Sequence, residues 1–259
     1  MSIESPDLAP SGGTAISEGP GARTAVIIPA AGKGVRLGPG APKALRVLSG
    51  TPMLIHAVRA TARARAVGLV VVVAPAGGTT EVRALLDENE LSGVVVVPGG
   101  ETRQESVRLG LDVLPPSVDT VLVHDAARPL VPAETVDAVA DAVRNGAPAV
   151  VPALPVTDTV KEVEPHGEGG PEPVTGTPDR SRLRAVQTPQ GFARKVLVEA
   201  HARVALQGEG ATDDAGMVER LGVDVVVVPG HEEAFKVTRP LDLVLAEAVL
   251  ARRRARDAY

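Results

Sequence analysis

Six short, nearly unbroken apolar runs recur along the chain: Ala25–Ile28, Leu69–Ala74, Val94–Val97, Thr120–Val123, Ala149–Val151 and Asp224–Val228. Strands take this form when both faces are buried, because the alternation of apolar and polar residues disappears once neither face meets water. Segments with helical spacing lie between them: Thr51 to about Ala66, Thr79–Glu90, Thr102–Leu114, Pro132–Asn145, Lys195–Gln207, Asp213–Leu221 and Arg239–Arg254. Thr51 and Pro52 read as the N-cap and first residue of the earliest helix. This alternation predicts an α/β fold with a doubly wound, mostly parallel sheet. Such sheets bind ligands beyond the C-terminal ends of their strands. Three polar loops, Pro29–Lys43, Pro98–Ser106 and His124–Pro129, follow predicted strands directly and would converge on one edge.

The chain of 259 residues is long enough for one sizeable core, here assigned to residues 23–254. Residues 1–22, rich in Gly, Pro, Ser and Glu without periodicity, read as a disordered leader. The absence of cysteine excludes disulfides and thiolate metal sites and fits a cytoplasmic setting. With no Trp, one Tyr and a net charge of −5, stacking on bases and phosphate-backbone binding are not expected, so nucleic acid is excluded as a partner. No apolar stretch nears the roughly 20 residues of a membrane span. One segment, about 155–189, breaks the alternation. Val156–Val163 and Val174–Val186 flank a Gly/Pro-rich acidic tip, the pattern of a long hairpin leaving the sheet. A projecting hairpin is poorly stable alone, which predicts that this arm reaches a second subunit.

The loop PAAGKGVRLGPGAPK sets Gly32, Gly34, Gly38 and Gly40 among Lys33, Arg36 and Lys43. Glycines let backbone N–H groups face an anion, and cations complete a phosphate nest. Neither common phosphate loop fits: no lysine here precedes Ser or Thr, and Leu37 stands where a dinucleotide fingerprint needs its third glycine. A tight turn alone would explain the glycines, but not Arg36 and Lys43. Asp125, in His124-Asp125-Ala126-Ala127-Arg128-Pro129, either caps a turn and pairs with Arg128 or holds Mg²⁺ or a substrate hydroxyl. His124 reads as structural, because the five histidines are scattered and none has zinc-ligand spacing. Gly99–Ser106 is either an ordinary capped helix start or a donor set for a base or ribose. Thr212 reads as an N-cap, Thr238 or Arg239 as another, and the final ARRRAR as a solvated helix end.

In this order, PAAGKGVRLG with its following PK, GGETRQES, HDAARP, PVTDTVK, DR, TPQ, TDD and KVTRPLDL resemble the bacterial 2-C-methyl-D-erythritol 4-phosphate cytidylyltransferases, from about residue 23 to 250. The resemblance implies a nucleotide-diphospho-sugar transferase-like, Rossmann-like fold and a homodimer with swapped arms. It also implies a step of the non-mevalonate isoprenoid pathway, the transfer of CMP from CTP to 2-C-methyl-D-erythritol 4-phosphate with release of pyrophosphate. By position, Arg36 and Lys43 match the pair that stabilises the pentacoordinate α-phosphate. Ala30, Ala31, Gly32 and Gly34 match the cytidine and triphosphate loop, Gly100 and Ser106 contacts to cytosine and ribose, and Asp125 and Ala126 the hinge between the substrates. Arg128, Thr159, Arg180, Thr188, Thr212 and Lys236 match contacts to methylerythritol phosphate or to residues beside it. Two departures are Glu101, where members often carry Asp, and a longer, more acidic arm tip over Glu164–Thr175.

The attacking phosphate is already an anion, so no general base is required, and no Ser–His–Asp or paired-carboxylate pattern is present. Alignment and charge neutralisation suffice, with Mg²⁺ carried on the phosphates. Ribitol-5-phosphate cytidylyltransferase is the nearest rival reading. A non-catalytic nucleotide-binding module would not need both Arg36 and Lys43. A Rossmann oxidoreductase lacks its acidic residue where Ala74-Pro75 ends the second strand.

Overall fold

The structure, a computed structural model, describes residues 23–32, 42–165, 170–204 and 213–257. The predicted leader, Gly34, Arg36 and Thr212 lie outside the described residues, as does the side chain of Lys43. In chain order the elements are β1 (Thr24–Pro29), β2 (Val47–Leu48), β3 (Thr51–Pro52), α1 (Met53–Ala62), β4 (Leu69–Ala74), α2 (Thr79–Glu88), β5 (Val95–Pro98), α3 (Arg103–Asp112), β6 (Thr120–Val123), α4 (Ala133–Arg144) and β7 (Ala149–Pro155). Then follow β8 (Glu162–Val163), β9 (Val174–Gly176), β10 (Arg184–Val186), β11 (Gln190–Ala193), α5 (Arg194–Val204), α6 (Asp214–Arg220), β12 (Val225–Pro229) and α7 (Pro240–Asp257).

Strands β5, β4, β1 and β6 are parallel neighbours. Strand β12 runs parallel to β7. Between β6 and β7 lies β11, antiparallel to both, which no apolar run predicted. Its Gly191 is required there: a Cβ would stand 2.5 Å from Val139 Cγ1 of α4. Strand β10 pairs with β7 beyond it, and the cis Thr188–Pro189 bond lies between β10 and β11.

Both faces of the central strands are buried, as the runs predicted, but the run that forms β12 is not, with Val226 at 41% and Val227 at 52% exposure. Val26 and Ile28 of β1, with Val72, Leu122 and Val150, pack against α1, α2 and α4. Ala25 and Ile27, with Val71, Val73, Val121 and Val123, pack against α3, α5 and α6. A third cluster joins Leu48, Met53 and Leu130 to Val237, Ala246 and Val249, so α7 closes over the β6 side of the fold. Among the described residues no helix is long and apolar enough to cross a membrane.

Three local expectations change. Thr51 and Pro52 form a short ladder with Val47 and Leu48, and the helix begins after them without a side-chain cap. The cap of α6 is Asp213, whose carboxylate accepts from the N–H of Gly216, so Thr212 is not the N-cap. The arginine run is not merely solvated: Arg252 and Arg253 both pair with Glu233, and Arg253 donates to the carbonyl of Leu130. The predicted hairpin is present in its short form, with Glu162 opposite Gly176 and Val163 opposite Val174. Lys161 braces it by donating to Thr177 at 2.7 Å.

The parallel core fixes the approach of α3 to β1. A Cβ on Gly110 would lie 2.7 Å from Ile27 Cγ2, a branched methyl held by the sheet. We expect Gly110→Val to lower unfolding stability by about 1–3 kcal/mol through overpacking, read from the denaturant midpoint. An unchanged midpoint would refute this tight contact.

Candidate active site

The C-terminal ends of β1, β5 and β6 frame one cleft of about 220 Å³. Its wall from β1 is Pro29, Ala30, Ala31 and Gly32, with the Ala30 N–H extending the sheet by donating to the carbonyl of Val73 at 2.8 Å. The chain returns at Pro42, and Ala44 of the turn Lys43–Leu45 lines the same cleft. The stretch between, which carries Gly34 and Arg36, is therefore bounded on both sides by cleft residues. Ala126 and Ala127 follow β6, and their small side chains leave the floor open.

The wall from β5 is built by a glycine pair and a capped helix. Gly99 passes close to Ala31: a Cβ there would meet Ala31 Cβ at 2.8 Å and the carbonyl of Ala74 at 2.9 Å. Thr102 caps α3 by accepting from the N–H of Glu105 at 3.0 Å, and Glu105 in turn accepts from the N–H of Glu101 at 2.8 Å. Buried Ser106 donates to the carbonyl of Thr102 and accepts from the N–H of Gly100 at 3.2 Å. The helix start is thus capped in the ordinary way and also faces the cleft, with Gly100, Glu101, Thr102, Arg103 and Ser106 all on its lining.

Asp125 lies where these segments meet. Its carboxylate is 2.7 Å from Lys236 Nζ and 3.5 Å from Arg103 Nη2. Burial alone would raise its pKa, but Arg103 and Lys236 outweigh that and hold the carboxyl far below the usual range. Lys236 arrives from the other end of the chain, because the N–H of Val237 bonds the carbonyl of Ala127 at 2.8 Å. Thr238 and Asp242 cap the start of α7 just behind it.

The partner of Arg128 is not Asp125. Its guanidinium donates to the carbonyls of Ala234 at 2.7 Å and Val186 at 3.2 Å, clamping the turn after β6 to the segment before Lys236. Thr188, buried, accepts from the N–H of Asp125 at 3.0 Å and meets His124 Nδ1 at 3.1 Å. His124 Nε2 lies 3.1 Å from the carbonyl of Arg128, which can only accept. Nε2 therefore carries a proton, and in the neutral ring Nδ1 accepts from the Thr188 hydroxyl. Burial drives its pKa down to about 4. Arg128, Thr188 and His124 thus shape the backbone that presents Asp125.

Thr159 and Arg180 are not brought to this cleft. Both are exposed on the arm, where Arg180 donates to the carbonyl of Thr157 at 2.7 Å. Conversely, sequence reasoning did not single out Arg103, although it is the one cation between Gly100 and Ser106. It also missed Gln190, which donates to Asp213 at 2.6 Å and accepts from the N–H of Ala215 at 3.1 Å. Asp214 is visible in the sequence only as the end of the TDD segment and His201 carries no signal, because the two meet only where α5 packs on α6.

The model of the 2-C-methyl-D-erythritol 4-phosphate cytidylyltransferase family matches residues 24–252. The chain belongs to that family. A relative named 2-C-methyl-D-erythritol 4-phosphate cytidylyltransferase from Streptomyces avermitilis is 72% identical over 243 residues, 92% of this chain and 96% of that one. The crystal structure of the enzyme of that name from Thermus thermophilus is similar at 38% identity and a TM-score of 0.69, over 88% of this chain and 98% of that one. That of a 4-diphosphocytidyl-2C-methyl-D-erythritol synthase from Anaerococcus prevotii reaches a TM-score of 0.75 at 27% identity, over 88% and 96% of the two chains. The mostly parallel α/β fold is thus shared with these cytidylyltransferase structures.

His124 gives the site a pH signature. Its folded pKa of about 4 lies below its unfolded value of about 6.5, so the unfolded chain binds the extra proton between them. Its contribution is complete above about pH 6.5 and is lost as the pH falls towards 4, at roughly 1 kcal/mol per pH unit. We expect His124→Gln to flatten the fall in unfolding stability measured between pH 7 and pH 5. A variant slope equal to the parental slope would show that His124 is not the group responsible.

Proposed function

We infer that the chain transfers CMP from CTP to 2-C-methyl-D-erythritol 4-phosphate, giving 4-diphosphocytidyl-2-C-methyl-D-erythritol and pyrophosphate in isoprenoid precursor synthesis. The observation that carries this reading is the cleft at the ends of β1, β5 and β6, lined by the family's own segments in a chain matched from residue 24 to 252. An oxygen of the substrate phosphate attacks the α-phosphorus of CTP in line. The new P–O bond forms as the bond to the bridging oxygen of pyrophosphate breaks, and no proton need move. Arg36 and Lys43 neutralise the charge that builds at the α-phosphorus. Ala30, Ala31, Gly32 and Gly34 let the backbone approach the triphosphate, and Gly100 and Ser106 face the cytidine. Asp125 and Ala126 sit between the two substrates, and Lys236 and Thr212 face the methylerythritol phosphate. Arg128 and Thr188 serve that substrate through the backbone they hold.

The donor set fits a divalent cation brought in on the nucleotide. No group of three or more acidic or histidine side chains gathers among the described residues, and Mg²⁺ in nucleotide sites needs only one or two carboxylates beside phosphate oxygens. Asp125 is the carboxylate that would hold it, in exchange for a cation now paired there. When bound, Mg²⁺ neutralises phosphate charge and favours departure of pyrophosphate.

The working form is a homodimer, with Thr159 and Arg180 reaching the partner's cleft. In support, the arm leaves apolar side chains partly exposed, among them Val174 at 57% and Val186 at 41%. A cytoplasmic setting accompanies this reading.

The test is pyrophosphate release from each nucleoside triphosphate, with methylerythritol phosphate or ribitol 5-phosphate as acceptor. CTP with methylerythritol phosphate should give the highest kcat/KM, and a preference for ribitol 5-phosphate would replace the substrate assignment. Arg36→Ala and Lys43→Ala should each lower turnover by about 10²–10³ with little change in melting temperature. Near-parental turnover in either would remove that residue from the catalytic pair. Mixing Arg180→Ala with Arg36→Ala chains should restore activity through one intact site per mixed dimer. Mixtures as inactive as the single variants would count against the swapped arm.

A further inference from the structure

Behind the cleft, the ion pairs continue into the protein. Arg103 enters the site from the first turn of α3, with its side chain 35% exposed, and its other edge reaches inward. Arg103 Nη1 lies 2.7 Å from Asp214 Oδ2, a carboxylate that is 0% exposed. The other oxygen of Asp214 is 3.2 Å from Nε2 of His201, whose side chain is 2% exposed. His201 Nδ1 is buried without a partner among the described residues, so the ring's polar bonding there is directed to Asp214. The chain of contacts therefore runs His201, Asp214, Arg103, Asp125, Lys236, from the α5–α6 interface to the mouth of the cleft.

Stability alone does not account for this arrangement. A buried ion pair commonly adds no more stability than apolar residues of similar volume, and the surrounding α5–α6 interface is otherwise apolar, with Leu197, Ala200, Met217 and Val218. What the pair does is choose between the two ends of one guanidinium. Arg103 has two carboxylates within reach, Asp214 at 2.7 Å and Asp125 at 3.5 Å. The shorter contact is the buried one, where charge attraction is least screened. Held that way, Arg103 stays on the cleft wall and does not close on Asp125, and Lys236 keeps its 2.7 Å contact with that carboxylate. Without the anchor, Arg103 is free to close on Asp125 and to cover the floor on which the nucleotide must lie.

We propose that Asp214 and His201 are positioning residues for the nucleotide, acting through Arg103: they anchor its guanidinium from behind so that it lines an open cleft. This inference rests on the reading of the cleft as the CTP site. It concerns the nucleotide side of the reaction, because Arg103 shares its wall with Gly100 and Ser106.

The experiment compares CTP binding by calorimetry and steady-state kinetics for the parental full chain, Asp214→Asn, His201→Leu and His201→Gln, each with its melting temperature. Asp214→Asn should weaken CTP binding and raise the KM for CTP by about 10-fold or more, the size expected for a lost charged hydrogen bond. The KM for the alcohol phosphate and kcat should change far less. His201→Leu should act in the same direction, and His201→Gln, which keeps an N–H donor, should recover most of the loss. If Asp214→Asn does not fold, the Leu and Gln pair at position 201 decides the matter. Parental chain that binds CTP alongside variants that bind it equally well would overturn the positioning role. Losses shared equally by both substrates, or without recovery in His201→Gln, would overturn it too. Failure of the parental chain itself to bind CTP would instead overturn the reading of the cleft, and the inference with it.

Discussion

Asp125 is a carboxylate only 15% exposed at the end of a central strand, and it remains an anion because Arg103 and Lys236 stand against it. A charge so largely withdrawn from water needs such partners, because desolvation disfavours its ionised form. The requirement joins three parts of the chain that are far apart in sequence: the loop after β6, the first turn of α3 and the segment before α7. Each is in turn locked by its own bonds, Thr188 to the N–H of Asp125, the Thr102 cap on α3, and Val237 to Ala127. The cleft has its shape because these bonds hold its walls, so its architecture and its electrostatics are one arrangement.

The sheet supplies the geometry in which that arrangement is possible. Parallel strands buried on both faces end at the same edge, so their C-terminal loops meet without any of them being long. The antiparallel β11 interrupts this order and has a use. It brings the segment Gln187–Gln190 to the end of β6, where Thr188 supports Asp125 and Gln190 ties down the start of α6. The arm leaves between β7 and β10, so its base is anchored in the same sheet, while the β8–β9 ladder beyond it is largely exposed.

Legibility in the sequence followed the physics of each element. Strands β1, β4, β6 and β7 were readable because double burial removes polar residues from them, whereas β5 and β12 carry apolar runs although they are only partly buried. Gln190–Ala193 was not, since a four-residue strand held on both sides by partners gets its stability from pairing and needs no apolar pattern. Thr51-Pro52 has the local signature of a helix start, yet pairing with Val47–Leu48 and burial of Leu48 and Met53 prevail over it. The loops at the cleft were visible because Gly, Asp and Lys at strand ends are unusual in purely structural turns. Arg128 was visible as well, but its role was not: nothing local tells that its partners are the carbonyls of Ala234 and Val186.

By itself the sequence determined the alternation of buried strands and helices, the edge at which the polar loops gather, and the ordered set of segments that marks the cytidylyltransferase family. Those are properties of neighbouring residues: periodicity, composition and spacing. Only the tertiary structure decided which charges meet. Asp125 pairs with Arg103 and Lys236, Arg103 also reaches Asp214, and Asp214 lies against His201. Such contacts depend on how helices pack across the two faces of the sheet, and packing is decided by the whole core at once. No local stretch of residues carries that information.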